Sequence, residues 1–277
     1  MCGPHWKLVV DQRGVTIAGN RFELTTRPDG APTESGVDAL VDGVAPAQLE
    51  SALSELEAMT RRTYGQFCVL ARGLEIIGER WALMIVRDLL VSPRTEADLR
   101  RGLPRIPPGA LTARLRELER TGVVWSVPGP DDLLVYQLTE YGQELEEIVV
   151  RIGRWGARSL GTARPDEVVT TDSLVTALRA AFRPDAATGV LVSFDIHADG
   201  GVVHARVAAG ELHDSVGPQG NGADLTIEAG VLVLHLMSGE LDPAEASTSD
   251  GLRITGDPAL LELFTRLFRL PESSRAI

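Results

Sequence analysis

From Gln66 to Leu160, prolines, glycines and helical periodicity divide the chain into segments that leave few folds open. Residues 66–77 place Phe67, Leu70, Leu74 and Ile77 at helical spacing until Gly78 interrupts the run. Residues 80–91 resume it with Trp81, Met84, Ile85, Leu89 and Leu90, and Ser92-Pro93 ends it because proline lacks an amide donor. Thr95 offers a capping oxygen to a short helix through Leu99 and Arg101. After the turn Gly102-Leu-Pro-Arg-Ile-Pro-Pro, residues 109–121 read as a strong helix, with Leu111, Leu115 and Leu118 on one face. Pro108 suits its first turn and Gly122 its far end. Two strand-like runs, 123–127 and 133–138, flank Pro128-Gly-Pro-Asp-Asp. Thr139 then opens a helix to about Leu160 carrying Leu145, Ile148, Val149, Ile152 and Trp155.

The order helix, helix, short helix, turn, helix, hairpin, long helix is that of a winged helix-turn-helix module. In such a module the second helix of the pair enters the major groove and the hairpin lies along the backbone. Charge supports this placement. The whole chain is acidic, net −12, which argues against general adhesion to nucleic acid or anionic membrane. Residues 59–128, however, hold 12 arginines against 7 acids, between flanks that are strongly acidic. A basic island in an acidic chain is a cue for a nucleic-acid-binding module. On this view the isolated segment binds random DNA more tightly than the full chain.

Residues 67–156 resemble the HxlR-type family of winged-helix regulators. The matching stretches are Cys68 with Leu74-Glu-Ile-Ile-Gly-Glu-Arg-Trp, Ile85-Val-Arg-Asp-Leu-Leu, Asp98-Leu-Arg-Arg-Gly-Leu-Pro, Leu111-Thr-Ala-Arg-Leu-Arg-Glu-Leu-Glu, Tyr136-Gln-Leu-Thr-Glu-Tyr-Gly and Trp155-Gly. Two positions depart from the family: Val69 replaces the usual proline after the cysteine, and Arg94-Thr95 replaces Arg-Phe. The resemblance implies a DNA-binding transcriptional regulator, a repressor rather than an enzyme. It also implies a homodimer joined through terminal helices, here 66–77 and 142–160, with each protomer on one half-site of a double-stranded operator.

By position, Gly109, Ala110, Thr112, Ala113 and Arg114 face base edges, Arg114 being suited to guanine O6 and N7. Arg116 and Arg120, with Arg100, Arg101 and Arg105 from the preceding segment, are placed for phosphates. The alternative is a solvated face in which these arginines pair with Glu117 and Glu119. Cys68, at a helix start with Arg72 one turn on, is a candidate redox sensor; the alternative is a buried small hydrophobe.

Residues 164–171 read as a linker, and Asp172 as the cap of a helix through Leu174, Leu178 and Phe182. Strand-like segments follow at 189–196, 201–207, 223–228 and 251–257, with helices over 229–241 and 257–269. That is an α+β arrangement. Ala223-Asp-Leu-Thr-Ile, Leu236-Met-Ser-Gly-Glu-Leu-Asp-Pro-Ala-Glu-Ala and Gly251-Leu-Arg-Ile-Thr-Gly-Asp resemble the sterol-carrier-type lipid-binding domain. This resemblance implies a small apolar ligand in a cavity lined by Leu232, Leu236, Met237, Leu263, Phe264 and Phe268; the alternative is a filled core. His197, His204 and His213 match no strong metal-ligand spacing, and no nucleophile elbow, P-loop or dinucleotide fingerprint occurs, so neither metal nor cofactor is expected.

Residues 6–26 alternate as short strands or hairpins, 27–47 read as a linker and 47–58 as a modest amphipathic helix. The expected organisation is therefore an extension over 1–58, a winged helix over 59–163 and a sterol-carrier-like domain over 172–277, unless Met59 is the true start. Two cysteines, no apolar signal core and no uncharged stretch long enough to span a bilayer point to a cytoplasmic protein. The competing reading is a lipid-binding or carrier protein whose winged helix mainly mediates dimerisation.

Overall fold

The computed structural model describes residues 9–11, 14–17, 20–22, 63–130, 133–217, 222–246 and 251–272. The chain divides into two compact units, Met1–Gln66 and Phe67–Ile277. The first contains a three-stranded antiparallel sheet of β1 (Val9–Asp11), β2 (Gly14–Ile17) and β3 (Asn20–Phe22), in that order. Val10 pairs with Val15, and Thr16 with Arg21. The expected linker at 27–47 and helix at 47–58 lie outside the described residues.

The second unit begins with α1 (Val69–Ile77) and α2 (Ala82–Leu89). Between them Trp81 takes φ +82, a conformation that a bulky residue adopts only under constraint from its surroundings. The two-residue strand β4 (Arg94–Thr95) leads into α3 (Glu96–Gly102). As its sequence suggests, Thr95 caps α3, in a reciprocal capping box with Asp98. Helix α4 (Pro108–Arg120) starts with proline in its first turn, and Gly122 just beyond its end takes φ +73, a left-handed cap. Strands β5 (Val124–Pro128) and β6 (Leu134–Leu138) complete a sheet of order β4-β6-β5. The long closing helix is interrupted at Glu144: α5 (Glu140–Gln143) is capped by Thr139, and α6 (Leu145–Gly156) follows it. Ile85, Leu89, Leu99, Leu103, Leu111, Leu115, Leu118, Val123 and Leu138 form the core of this half.

The remainder is a two-layer α+β arrangement. Its sheet has the order β11-β10-β7-β8-β9, with β7 (Val192–Ala198), β8 (Gly201–Ala208), β9 (Glu211–Val216), β10 (Leu225–Glu228) and β11 (Arg253–Gly256). All its pairings are antiparallel except that of β10 with β7. Helices α7 (Thr171–Ala181), α8 (Leu232–Ser238), α9 (Pro243–Ala246) and α10 (Ala259–Leu267) accompany it. The core centres on Phe194, Phe264 and Phe268; Phe194 meets Phe264 edge-on at 5.2 Å, and Phe264 lies 5.0 Å from Phe268.

Two features depart from what the sequence pattern leads one to expect. Strand β9 escapes that pattern, because Glu-Leu-His-Asp-Ser-Val is polar enough to pass for a loop; it is a sheet edge. Asp172 does not cap α7, because the Thr170 hydroxyl accepts from Ser173 N at 3.2 Å, which frees Asp172 for a longer-range role. Val91 and Val150 of the winged-helix half pack against the C-terminal core, and a Cβ added at Gly153 of α6 would lie 3.8 Å from Thr176 Cγ2 and 3.9 Å from Ala180 Cβ on α7. Among the described residues, no helix is long and apolar enough to cross a membrane.

Candidate nucleic-acid interface

Helix α4 is anchored by Leu111, Leu115 and Leu118, which are buried against the winged-helix core. That fixes what the other faces present. Gly109, Ala113, Arg116 and Arg120 are exposed, while Ala110, Thr112 and Arg114 are half-buried. Thr112 Oγ1 donates to Glu96 Oε1 at 3.1 Å, tying the start of α4 to the start of α3.

The arginines fall into two groups. Arg100 pairs with Glu96 at 2.8 Å, Arg101 with Asp98, and Arg105 with Asp166 of the segment preceding α7. Arg120 Nη2 donates to Glu117 Oε1 at 2.6 Å, as the solvated-face alternative expects of it. Arg114 and Arg116 make no ion pair among the described residues. Exposed pairs contribute little and exchange readily for phosphate, so pairing does not remove the first group from an interface. It does leave Arg114 and Arg116 as the two of these candidate cations without an internal ion pair among the described residues.

The hairpin differs in kind. No lysine or arginine occurs from Thr121 to Leu138. Trp125, Leu133 and Leu134 are exposed on it, and Ser126 Oγ donates to Glu119 Oε1 at 2.6 Å. Positive charge for a phosphate backbone therefore comes from α3, the following turn and α4. On β6 of the hairpin, burial raises the Tyr136 phenol above its ordinary range, and the nearby carboxylates of Glu119 and Glu96 add to the effect. The capping hydrogen bonds from Thr95 hold the Asp98 carboxyl below the ordinary range.

The remaining candidates are scattered. Cys68 is half-buried at the N-cap of α1, and the Arg72 guanidinium that sequence spacing offers it is held by Glu75 at 2.8 Å. Leu236, Met237, Phe264 and Phe268 are fully buried in the C-terminal core, with Leu263 partly buried against it. Of the six side chains expected to share a cavity, Leu232 lines an open cleft of about 820 Å³ with His197, Ala198, Val231, Leu252 and Arg253. The three histidines are not gathered: His204 is buried against Asp195 at 2.7 Å, while His197 and His213 are exposed. Among the described residues, no group of three or more potential ligands is placed to hold a metal.

Sequence reasoning missed Asp88, Arg94 and Asp172, whose signal was two charges, Arg87-Asp88, inside the apolar run of α2. A charge on a helix face that must be buried implies a partner elsewhere in the chain.

The fold and this surface define a winged helix-turn-helix protein, and comparison with known proteins agrees. Residues 76–164 match the HxlR-like helix-turn-helix family. The chain is 35% identical over 97 residues to YtcD of Bacillus subtilis (strain 168), an uncharacterized HTH-type transcriptional regulator, covering 34% of this chain and 75% of that protein. It is 38% identical over 89 residues to the uncharacterized HTH-type transcriptional regulator Rv3095 of Mycobacterium tuberculosis (strain ATCC 25618 / H37Rv), covering 31% of this chain and 56% of that one. The crystal structure of a putative HTH-type transcriptional regulator ytcD is 32% identical and covers 35% of this chain and all of that one, with a TM-score of 0.32. The chain belongs to the HxlR-like helix-turn-helix family, and it is a DNA-binding transcription regulator rather than an enzyme.

Proposed function

We propose that the protein is a cytoplasmic homodimeric repressor that reads one operator half-site with each copy of α4. In this reading Gly109, Ala110, Thr112, Ala113 and Arg114 meet base edges, and Arg100, Arg101, Arg105, Arg116 and Arg120 meet phosphates. The observation that carries it is the contrast on α4 between a buried leucine face and an outer face whose Arg114 and Arg116 have no internal ion pair among the described residues. The dimer is supported by apolar side chains left at the surface of α1 and α6: Val69, Leu70, Ile148, Ile152 and Trp155. Functional boundaries follow residues 59–163 and 172–277, the latter sterol-carrier-like. A small apolar ligand would enter at the open cleft beside Leu232, since the other core side chains are already packed against one another.

The test is binding to duplexes from the protein's own upstream region, found by genome-wide mapping and followed by fluorescence anisotropy across salt concentrations. Replacing both Arg114 and Arg116 by alanine should abolish specific binding and flatten the salt dependence, by about 0.9 in log–log slope for each phosphate no longer neutralised. Specific binding indifferent to both substitutions rejects the assignment. A ligand at the cleft should raise the melting temperature and change operator affinity together, because it acts only through unequal binding to the two states.

A further inference from the structure

Four charged side chains meet where α7 joins the DNA-reading half: Arg87 and Asp88 on α2, Arg94 on β4 and Asp172 on α7. Arg94 Nη2 donates to Asp172 Oδ1 at 2.5 Å, across 78 residues of sequence. Arg87 Nε donates to Asp88 Oδ1 at 2.7 Å, and its Nη2 reaches the Gly102 carbonyl at 3.4 Å. Asp88 is 1% exposed and Asp172 5%. These bonds leave two buried polar atoms, Asp88 Oδ2 and Arg94 Nε, without a hydrogen-bond partner among the described residues.

Both carboxylates turn their second oxygen toward Gly102: a side chain there would collide with Asp88 Oδ2 and lie 3.3 Å from Asp172 Oδ2. Gly102 ends α3 and opens the turn into α4, so the cluster sits at the root of the reading helix. Burial pushes the Asp88 carboxyl up to about 6; Arg87 and Arg94 oppose that rise, and the adjacent Asp172 adds to it. Other charged groups on the surrounding elements have partners of their own: Glu96 of α3 pairs with Arg100 and accepts from Thr112. Arg179 of α7 binds Asp214 of β9 and Glu146 of α6, Asp98 of α3 binds Thr95 and Arg101, and Tyr136 of β6 is the strand partner of Arg94.

We propose that this cluster is a proton-linked joint, in which a neutral Asp88 directs its Oδ2 proton at Asp172 and holds α7 against the root of the reading helix. Ionisation removes that donor and sets two buried carboxylates against each other. Because the folded-state value is raised, the stabilisation is complete below the ordinary carboxylate range and is lost as pH rises through about 6.

The test uses the full chain with aspartate labelled at the carboxyl carbon, followed by NMR from pH 4.5 to 8. One resonance should titrate near pH 6 and disappear in Asp88→Asn. Its midpoint should fall in Asp172→Asn, which removes a neighbouring negative charge, and rise in Arg94→Gln, which removes a positive one. Hydrogen exchange of residues 171–181, corrected for intrinsic rate, should be slower at pH 5.0 than at 7.5 by on the order of tenfold in the wild type and equal in Asp88→Asn. An Asp88 midpoint below 4.5, a midpoint unmoved by either neighbouring substitution, or wild-type protection that does not change with pH overturns the proposal.

Discussion

The two hydrophobic cores of the 67–277 unit are finished to different degrees. In the C-terminal half, Phe194, Phe264 and Phe268 are fully buried and the large apolar side chains close on one another. In the winged-helix half the core is equally tight around Leu111 and Leu118, yet Phe67 is fully exposed and Trp155 is 72% exposed. The C-terminal half has buried most of its large apolar side chains, leaving Leu191 and Val216 at its surface. The winged-helix half carries more than its own interior can absorb; that surplus lies on the first and last helices of the module and, through Trp125, Leu133 and Leu134, on the hairpin. It is this difference on which the proposed dimer rests.

The largest test of this contrast is a cavity in the finished core. Phe264→Ala should cost about 3–5 kcal/mol in chemical denaturation, since a fully buried ring is removed and its neighbours collapse only in part. Trp155→Ala should cost far less in the folded protomer but weaken self-association at least about tenfold, or about 1.4 kcal/mol, by sedimentation equilibrium. Equal stability losses for the two substitutions, with association unchanged, would erase the distinction. Next, Thr95→Ala removes the cap of α3 and should cost about 1 kcal/mol, read as a shift of the denaturation midpoint. The smallest effect belongs to Asp166→Ala. Its exposed pair with Arg105 should be worth less than about 0.5 kcal/mol, so stability stays put while binding to random duplex at low salt rises slightly.

Much of the reading apparatus is legible in the sequence because its signals are local. Pro108 and Gly122 bracket α4, Thr95 with Asp98 announces α3, and three leucines name the buried face. Local signals also explain the errors. Asp172 looks like a cap because it stands near the start of α7, but Thr170 sits at the N-cap position and Asp172 faces Arg94 from far along the chain. β9 is polar because an edge strand is shielded on one side only, and periodicity cannot separate that from a loop. Internal pairing of an arginine can be read from sequence only for neighbours on one helix, as for Arg120 with Glu117; the Arg105–Asp166 pair needs the fold. The apolar residues assigned to a cavity are recognisable as interior, but whether an interior is hollow depends on how side chains interlock, which no sequence pattern encodes.

Helix α6 gives one side to α7, through Val150 and Gly153, and another to the surface, through Ile148, Ile152 and Trp155. In the proposed dimer it is therefore the axle on which both attachments turn. Two reading helices must enter successive major grooves about 34 Å apart, and a tilt of a few degrees at the axle changes that separation. In that dimer, whatever pulls on the C-terminal sheet would act on the ruler that measures the operator, without touching a base.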